Sequence, residues 1–163
     1  CVGVDIAKNA VQVAAKLNKN VTWIVGTGAT LPVLEQSIDL CSSLFSPIPQ
    51  HEILRVLKPQ GYLMVVTPAQ GQLYAMREAV LEEVNPHEPH KFIQQLEAEF
   101  DLVSEQVIDA PLTLSQQDLK HLIAMTPYAY KAKVERRQAL EQHDTFAVNA
   151  QFQLYLFQKK SAL

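Results

Sequence analysis

The sequence predicts an α/β fold built on a mostly parallel sheet with an antiparallel last strand. Three observations predict it. Short apolar runs alternate with amphipathic stretches along most of the 163 residues, the pattern of successive βαβ units covered on both faces. Turn residues punctuate several of those runs, as at Gly26-Thr27-Gly28 and Pro68. The final run is different: Phe146, Val148, Ala150, Phe152, Leu154 and Leu156 occupy every second position. That is the period of a half-buried strand lying antiparallel to its neighbour.

Cys1 to Asp5 reads as a short strand ending in an acid, and Ile6 to Leu17 as a helix with Ala7, Val11, Ala14 and Ala15 on one side. Val21 to Val25 is a second strand and Ile38 to Ser42 a third. Gln50 to Leu57 reads as a short helix that stops at Lys58-Pro59-Gln60-Gly61, where Pro59 ends the helix and Gly61 permits the turn. Tyr62 to Thr67 is strongly apolar, and Gly71 to Glu83 is amphipathic. A polar loop, Asn85 to His90, leads to a helix over Phe92 to Phe100 and a strand over Leu102 to Leu112. Ser115, with Asp118 three residues on, is placed to cap a helix, and Val134 to Gln142 forms another. No repeat or low-complexity linker interrupts the chain, so residues 1–163 are expected to form one domain.

Hydrophobic residues make up 48% and charged residues 19%, the balance of a globular protein. No apolar run has the length of a bilayer span, which sets no membrane as an expectation. Cys1 and Cys41 match neither a zinc ribbon nor a disulfide framework, so a reduced, cytoplasmic setting is expected, with no metal. The net charge of −3 argues against binding nucleic acid by bulk attraction alone. The opening run has the character of the body of a buried strand, and the chain is expected to be a fragment.

In open parallel sheets, ligands bind beyond the carboxyl ends of the strands. Asp5 therefore has two readings: an acceptor for the ribose hydroxyls of an adenosine, or a cap for the helix that follows, and both can hold at once. Gly26-Thr27-Gly28 is either a close approach to a flat adenine, with the Thr27 hydroxyl at its edge, or a plain turn. His87, Glu88 and His90 lack further ligands at metal-binding spacing and read as a solvated loop.

Ile53-Leu-Arg-Val-Leu-Lys-Pro-Gln-Gly-Tyr-Leu63 is the most specific string. It resembles the helix–turn–strand segment Arg-Val-Leu-Lys-Pro-Gly-Gly of class I methyltransferases, with Gln60 in place of the first glycine. Further motifs narrow the resemblance: Val4-Asp-Ile-Ala-Lys8, Thr67-Pro68, Glu83-Val84 with Pro89-His90, and above all Met125-Thr-Pro-Tyr-Ala129. Over essentially its whole length the chain resembles the large-subunit ribosomal RNA (guanine-N1)-methyltransferases, which have a Rossmann-like sheet.

The resemblance implies methyl transfer from S-adenosylmethionine to N1 of a guanine in 23S ribosomal RNA, by a cytoplasmic homodimer. It places Asp5, Ile6, Thr27, Gly28, Ser43 and Gln72 near the cofactor, with Gln72 standing where the family usually has a histidine. It places Phe45, Met125, Thr126, Tyr128 and Tyr130 at the RNA base, where the other reading is ordinary helix-end and loop packing; Lys131, Lys133, Arg136 and Arg137 form a basic cluster that either contacts RNA phosphates or is a solvated helix face. No residue is assigned as the proton acceptor. The resemblance also implies an N-terminal zinc module and a glycine-rich first strand, neither of which the chain contains. That strand would lie between the strands ending at Asp5 and Ser42, so a gap is expected there, with poor cofactor binding and little activity by this piece alone. The rival readings are a methyltransferase acting on a small metabolite, and a non-catalytic or NAD-binding module; the long final strand argues against the last.

Overall fold

The computed structural model describes residues 1–161. The strands are β1 (Val2–Asp5), β2 (Thr22–Val25), β3 (Ile38–Leu44), β4 (Leu57–Pro68), β5 (Phe100–Ser115) and β6 (Thr145–Lys159). The helices are α1 (Lys8–Leu17), α2 (Gln50–Val56), α3 (Tyr74–Val80), α4 (Lys91–Leu96), α5 (Gln116–Ala124), α6 (Tyr128–Lys131) and α7 (Val134–Leu140). Every predicted element is present; α6, inside the Met-Thr-Pro-Tyr stretch, is an addition. No helix among the described residues is long and apolar enough to cross a membrane.

The strands form two sheets. β1 and β2 pair in parallel, with Val2 opposite Thr22 and Asp5 opposite Val25. The other sheet has the order β3-β4-β6-β5. β1 and β3 therefore belong to different sheets. β6 is antiparallel to β4, because Gln158 reaches the Gln60 carbonyl while the Gln151 carbonyl accepts from Ala69. It is antiparallel to β5 as well: Lys160 bonds to Glu99, and Asp144 to Gln116.

The chain divides into two compact units. The first comprises Cys1–Val65, Ile93–Ser104 and Tyr155–Leu163. Its buried residues include Ile53, Val56, Leu57, Leu63, Leu96 and Tyr155, and Phe100 meets Phe157 edge-on. The second comprises Val66–Phe92 and Glu105–Leu154. Here Leu73, Met76 and Val80 pack with Leu119, Ile123, Leu140 and Val148, the apolar stripes of short helices laid together as helical periodicity requires. Ser115 caps α5 as expected, accepting the Asp118 N–H at 3.2 Å.

Two expectations are corrected. Pro59 does not end α2, which stops at Val56, and Lys58-Pro59-Gln60-Gly61 lie within β4 instead of forming a turn before it; the left-handed residue there is Gln60, at φ 60°. Gly61 is needed for space, because a Cβ there would lie 3.0 Å from the Lys58 carbonyl oxygen and 3.3 Å from that of Asp39. The second correction concerns β6. Val148 and Ala150 are buried, as the alternation requires, but further along the buried residues are Gln153, Tyr155 and Phe157 rather than Phe152, Leu154 and Leu156. The inward phase slips by one residue at Gln151–Phe152, the effect of an extra residue in a strand.

Candidate functional site

In the first unit, β1 and β2 end side by side, which brings Asp5 beside the Gly26 turn: the Asp5 carbonyl accepts the Gly26 N–H at 3.0 Å. The capping reading of Asp5 is not realised: the N-cap of α1 is Ala7 and carries no side-chain cap, and Asp5 Oδ1 instead accepts the Ala7 N–H at 2.7 Å, bracing the approach to the helix. Its Oδ2 has no partner among the described residues and faces an exposed surface with Ile6 beside it. The plain-turn reading has support, because Thr27 Oγ1 accepts the Ala29 N–H at 3.2 Å. Gly28 lies against the Pro49 ring.

At the end of β3, Ser43 is buried and its hydroxyl lies 3.0 Å from that of Ser46. Phe45 follows at φ 54° and is exposed. A phenylalanine in the left-handed region carries strain of order 1 kcal/mol, and here it turns the ring outward.

Sequence reasoning treated Arg55 only as part of a fold marker, and it missed Glu52. The structure makes the two a clamp. Arg55 donates to Glu52 at 2.8 Å, to the Val33 carbonyl at 2.9 Å and to the Leu31 carbonyl at 2.9 Å. Glu52 in turn accepts the Leu31 N–H at 2.6 Å. The Arg55 hydrogen bond, and after it the Leu31 N–H, hold the Glu52 carboxyl at about 2. The signal available in the sequence was the i, i+3 spacing of opposite charges on one helix.

In the second unit, Gln72 gives its side-chain oxygen to the Gln151 backbone N–H. Thr126 bonds back to the Ile123 carbonyl at 2.9 Å, and Met125, at the end of α5, is exposed. Tyr128 packs against the helical core, whereas Tyr130 is 90% exposed. Much of the basic cluster is engaged within the chain. Lys133 pairs with Glu82, Arg136 donates to the Leu81 carbonyl at 2.6 Å, and Arg137 lies 3.3 Å from Glu141. Lys131 is exposed and has no partner among the described residues.

Two open clefts of the same unit were not anticipated. Gln70, Pro86 and Gln151 line both, Gly71 the first, and the His87–His90 loop and Gln153 the second. Beside the loop stands Arg77, 3% exposed, whose guanidinium donates to the Asn85 carbonyl. Burial, then the charges of Arg77 and Lys91, push the His87 imidazole below its ordinary value. Among the described residues no three of His, Cys, Asp and Glu are placed to hold a metal ion.

Comparison with known proteins agrees with this geometry. Residues 1–65 match the model of the methyltransferase domain family. A 23S rRNA (guanine(748)-N(1))-methyltransferase from Streptomyces fradiae is 30% identical over 128 residues, 77% of this chain and 46% of that protein. A Bacillus subtilis relative with a provisional name for a 23S rRNA guanine-N1 enzyme is 27% identical over 146 residues, 86% of this chain and 50% of that one. The chain thus spans about half the length of the curated relatives it matches. A solved SAM-dependent methyltransferase from Methanosarcina mazei superposes with a TM-score of 0.62 at 14% identity, over 99% of this chain and 82% of that one. By strand order, by the carboxylate at the end of β1 and by these matches, the chain has the fold of the class I S-adenosylmethionine-dependent methyltransferases, carries a methyltransferase-domain match over residues 1–65 and is similar to the 23S rRNA (guanine-N1)-methyltransferases over about half of their length.

Proposed function

We propose that the whole protein to which this chain belongs transfers a methyl group from S-adenosylmethionine to N1 of a guanine in large-subunit ribosomal RNA, acting in the cytoplasm as a homodimer. The observation that carries the reading is the 30% identity over 128 residues to the Streptomyces fradiae enzyme. The residues present fit the cofactor: a carboxylate with one oxygen already fixed by Ala7 holds its second oxygen in a defined direction, as a ribose hydroxyl requires. Asp5 then binds the ribose, Ile6 and the Thr27–Gly28 turn border the adenine, and Ser43 and Gln72 stand near the cofactor, Ser43 with its hydroxyl against that of Ser46 and Gln72 with its side-chain oxygen on the Gln151 N–H. When bound, the cofactor supplies an electrophilic methyl on a sulfonium, a good leaving group. The protein's task is then to position the base and to accept the N1 proton. Tyr130 is an exposed aromatic available for stacking, with Met125, Thr126 and Tyr128 beside it along the chain; Phe45, exposed after β3, is the other candidate for the base, and Lys131 and Arg136 serve phosphates.

One observation favours a small-molecule acceptor instead: Lys133, Arg136 and Arg137 are held within the chain, which leaves little free positive charge for RNA. A single experiment separates the readings. The full-length protein is given labelled S-adenosylmethionine and ribosomal RNA from cells lacking the enzyme, and the digest is searched for 1-methylguanosine. Label in that nucleoside supports the proposal. Cofactor binding without label in RNA overturns it in favour of the small-molecule acceptor. Asp5→Asn should keep the Ala7 hydrogen bond and the melting temperature while weakening cofactor binding about tenfold or more, the loss of one charge-assisted bond.

A further inference from the structure

The second unit holds a buried charge with nothing to balance it. Arg77, on α3, is 3% exposed, and a guanidinium stays charged under all conditions in which a protein folds. Its one hydrogen bond goes to the Asn85 carbonyl, while its Nε and Nη1 are buried without a partner. None of the ion pairs among the described residues includes it. Nearby, the Nε2 of His87 is likewise buried and unpartnered. A buried unpaired charge is strongly unfavourable, and a buried polar atom without a bond adds to that. Two such groups near each other call for a common partner from outside the fold.

Their charges define that partner. Arg77 brings one fixed positive charge and a planar fork with donors to spare. Burial first, then the charges of Arg77 and Lys91, hold the His87 imidazole below its ordinary value, so it is neutral at neutral pH and can donate without adding charge. Glu88, exposed on the same loop, works against a second negative charge. A phosphodiester, with one charge and several acceptor oxygens, fits this set; a terminal phosphate, with a charge of about −1.5 to −2, does not. Lys91 is exposed and in no ion pair among the described residues, which leaves its charge to attract such a group. The basic residues of α7, by contrast, are engaged within the chain.

Access lies through the Asn85–His90 loop. Residues 82–87 make no backbone–backbone hydrogen bond among the described residues. The far end of the loop has two of 3.4 Å, from the Lys91 N–H to Glu88 and from the Phe92 N–H to Pro89. Pro86 and Pro89 have no N–H to give. The bond near its start is the Asn85 carbonyl on Arg77 itself. A backbone so lightly bonded opens at low cost, and His87 already lines the second cleft.

We infer that Arg77 and His87 form a seat for one phosphodiester group of an RNA strand, covered by the Asn85–His90 loop until that group displaces the Asn85 carbonyl. That the strand is RNA rests on the methylation reading above.

The test uses the full-length protein and a labelled single-stranded RNA oligonucleotide, with fluorescence anisotropy read over a range of salt. Each phosphate contact on a single strand contributes about 0.7 to the slope of log affinity against log salt. Arg77→Met should lower the slope by about that amount and weaken binding about tenfold at low salt, the loss of one charge-assisted contact. His87→Phe should weaken binding and leave the slope alone, because it removes a donor and no charge. Melting without RNA reads what a purely structural arginine would move the other way: Arg77→Met removes an unpaired buried charge and should melt at or above wild type. A slope equal to that of wild type overturns the inference. So does an Arg77→Met protein that melts lower or does not fold, which would make the guanidinium part of the folded framework or the partner of a carboxylate elsewhere in the protein. Inorganic phosphate is the second probe. If it raises wild-type melting above chloride at equal ionic strength, and Arg77→Met abolishes that rise with the RNA slope unchanged, the seat takes a free ion and the inference fails. The two readings fail separately. Methyl transfer to RNA by wild type with equal slopes refutes the seat alone. A lower slope in Arg77→Met, with no methyl transfer by wild type, refutes the methylation reading alone.

Discussion

The left-handed kink within β4 at Gln60 predicts opposite signs for two neighbouring glycine exchanges. Gln60 occupies the left-handed region at φ 60°, which costs a residue with a Cβ on the order of 1–2 kcal/mol. Gln60→Gly removes that strain but gives the unfolded chain more freedom, an opposing effect of about 0.4–1 kcal/mol. The Gln60 side chain contributes only a 3.5 Å contact to Ser161, and the Gln158 bond to the Gln60 carbonyl survives the exchange. The net is a gain of about 0.5 kcal/mol, or roughly 1–2 °C in melting temperature for a chain of this length. Gly61→Ala does the reverse. Its Cβ would stand 3.0 Å from the Lys58 carbonyl and 3.3 Å from two carbonyls of β3, all backbone atoms with little room to yield. Overpacking of this kind costs about 1–3 kcal/mol, so melting should fall by several degrees. Thermal unfolding followed by circular dichroism reads both. A Gly61→Ala protein as stable as wild type would refute the reasoning, and so would a Gln60→Gly protein that melts lower.

Two further outcomes follow from hydrogen bonds. The Glu52 carboxyl is depressed to about 2, and a group lowered in this way adds stability that is complete above its unfolded value and disappears as pH falls through the folded one. Wild type should therefore lose stability between about pH 4.5 and about pH 2; urea unfolding at a series of acidic pH values should show Glu52→Gln with a flatter decline across that window. Ser115→Ala removes the cap of α5 and should cost about 1 kcal/mol; denaturant unfolding that shows no loss would mean that α5 is held by Leu119 and Ile123 alone.

Much of the fold was legible because its signals are local. Apolar runs of strand length and a serine three residues before Asp118 each act within one turn of chain. β6 was legible only in part. Its alternating residues Phe152, Leu154 and Leu156 are half-buried while Tyr155 and Phe157 are fully buried. A strand covered on both faces loses the contrast between inward and outward positions on which a sequence reading depends. Of the candidate site, Asp5 could be placed at a strand end from the sequence, since βαβ order dictates that position. The Gln151–Gly71 and Gln72–Gln151 bonds could not, because they join residues 80 and 79 positions apart. A lone glutamine carries no periodicity to announce such a bond.

The segment that identifies the fold also does physical work near the candidate cofactor residues. Arg55 has five donors in a rigid fork, and four bonds from it reach the Glu52 carboxylate and two carbonyls of the 31–33 loop. The end of α2 adds two carbonyls of its own, Arg55 to the Gln36 N–H and Val56 to the Ser37 N–H, just before β3 begins. The approach to β3 is thus fixed by five backbone attachments, including the Leu31 N–H on Glu52, and by the Arg55–Glu52 side-chain pair, all made by residues 52–56 of α2. β3 ends at Ser43 and Leu44, with Phe45 turned outward beyond them. A strand pinned at its start and paired along its length has little freedom at its end, so the motif positions those residues without touching them. Arg55→Lys preserves charge but cannot reach Glu52 and both carbonyls at once, since an ammonium is a point donor and not a fork. The string that marks the superfamily is on this account a clamp on the loop leading into the site.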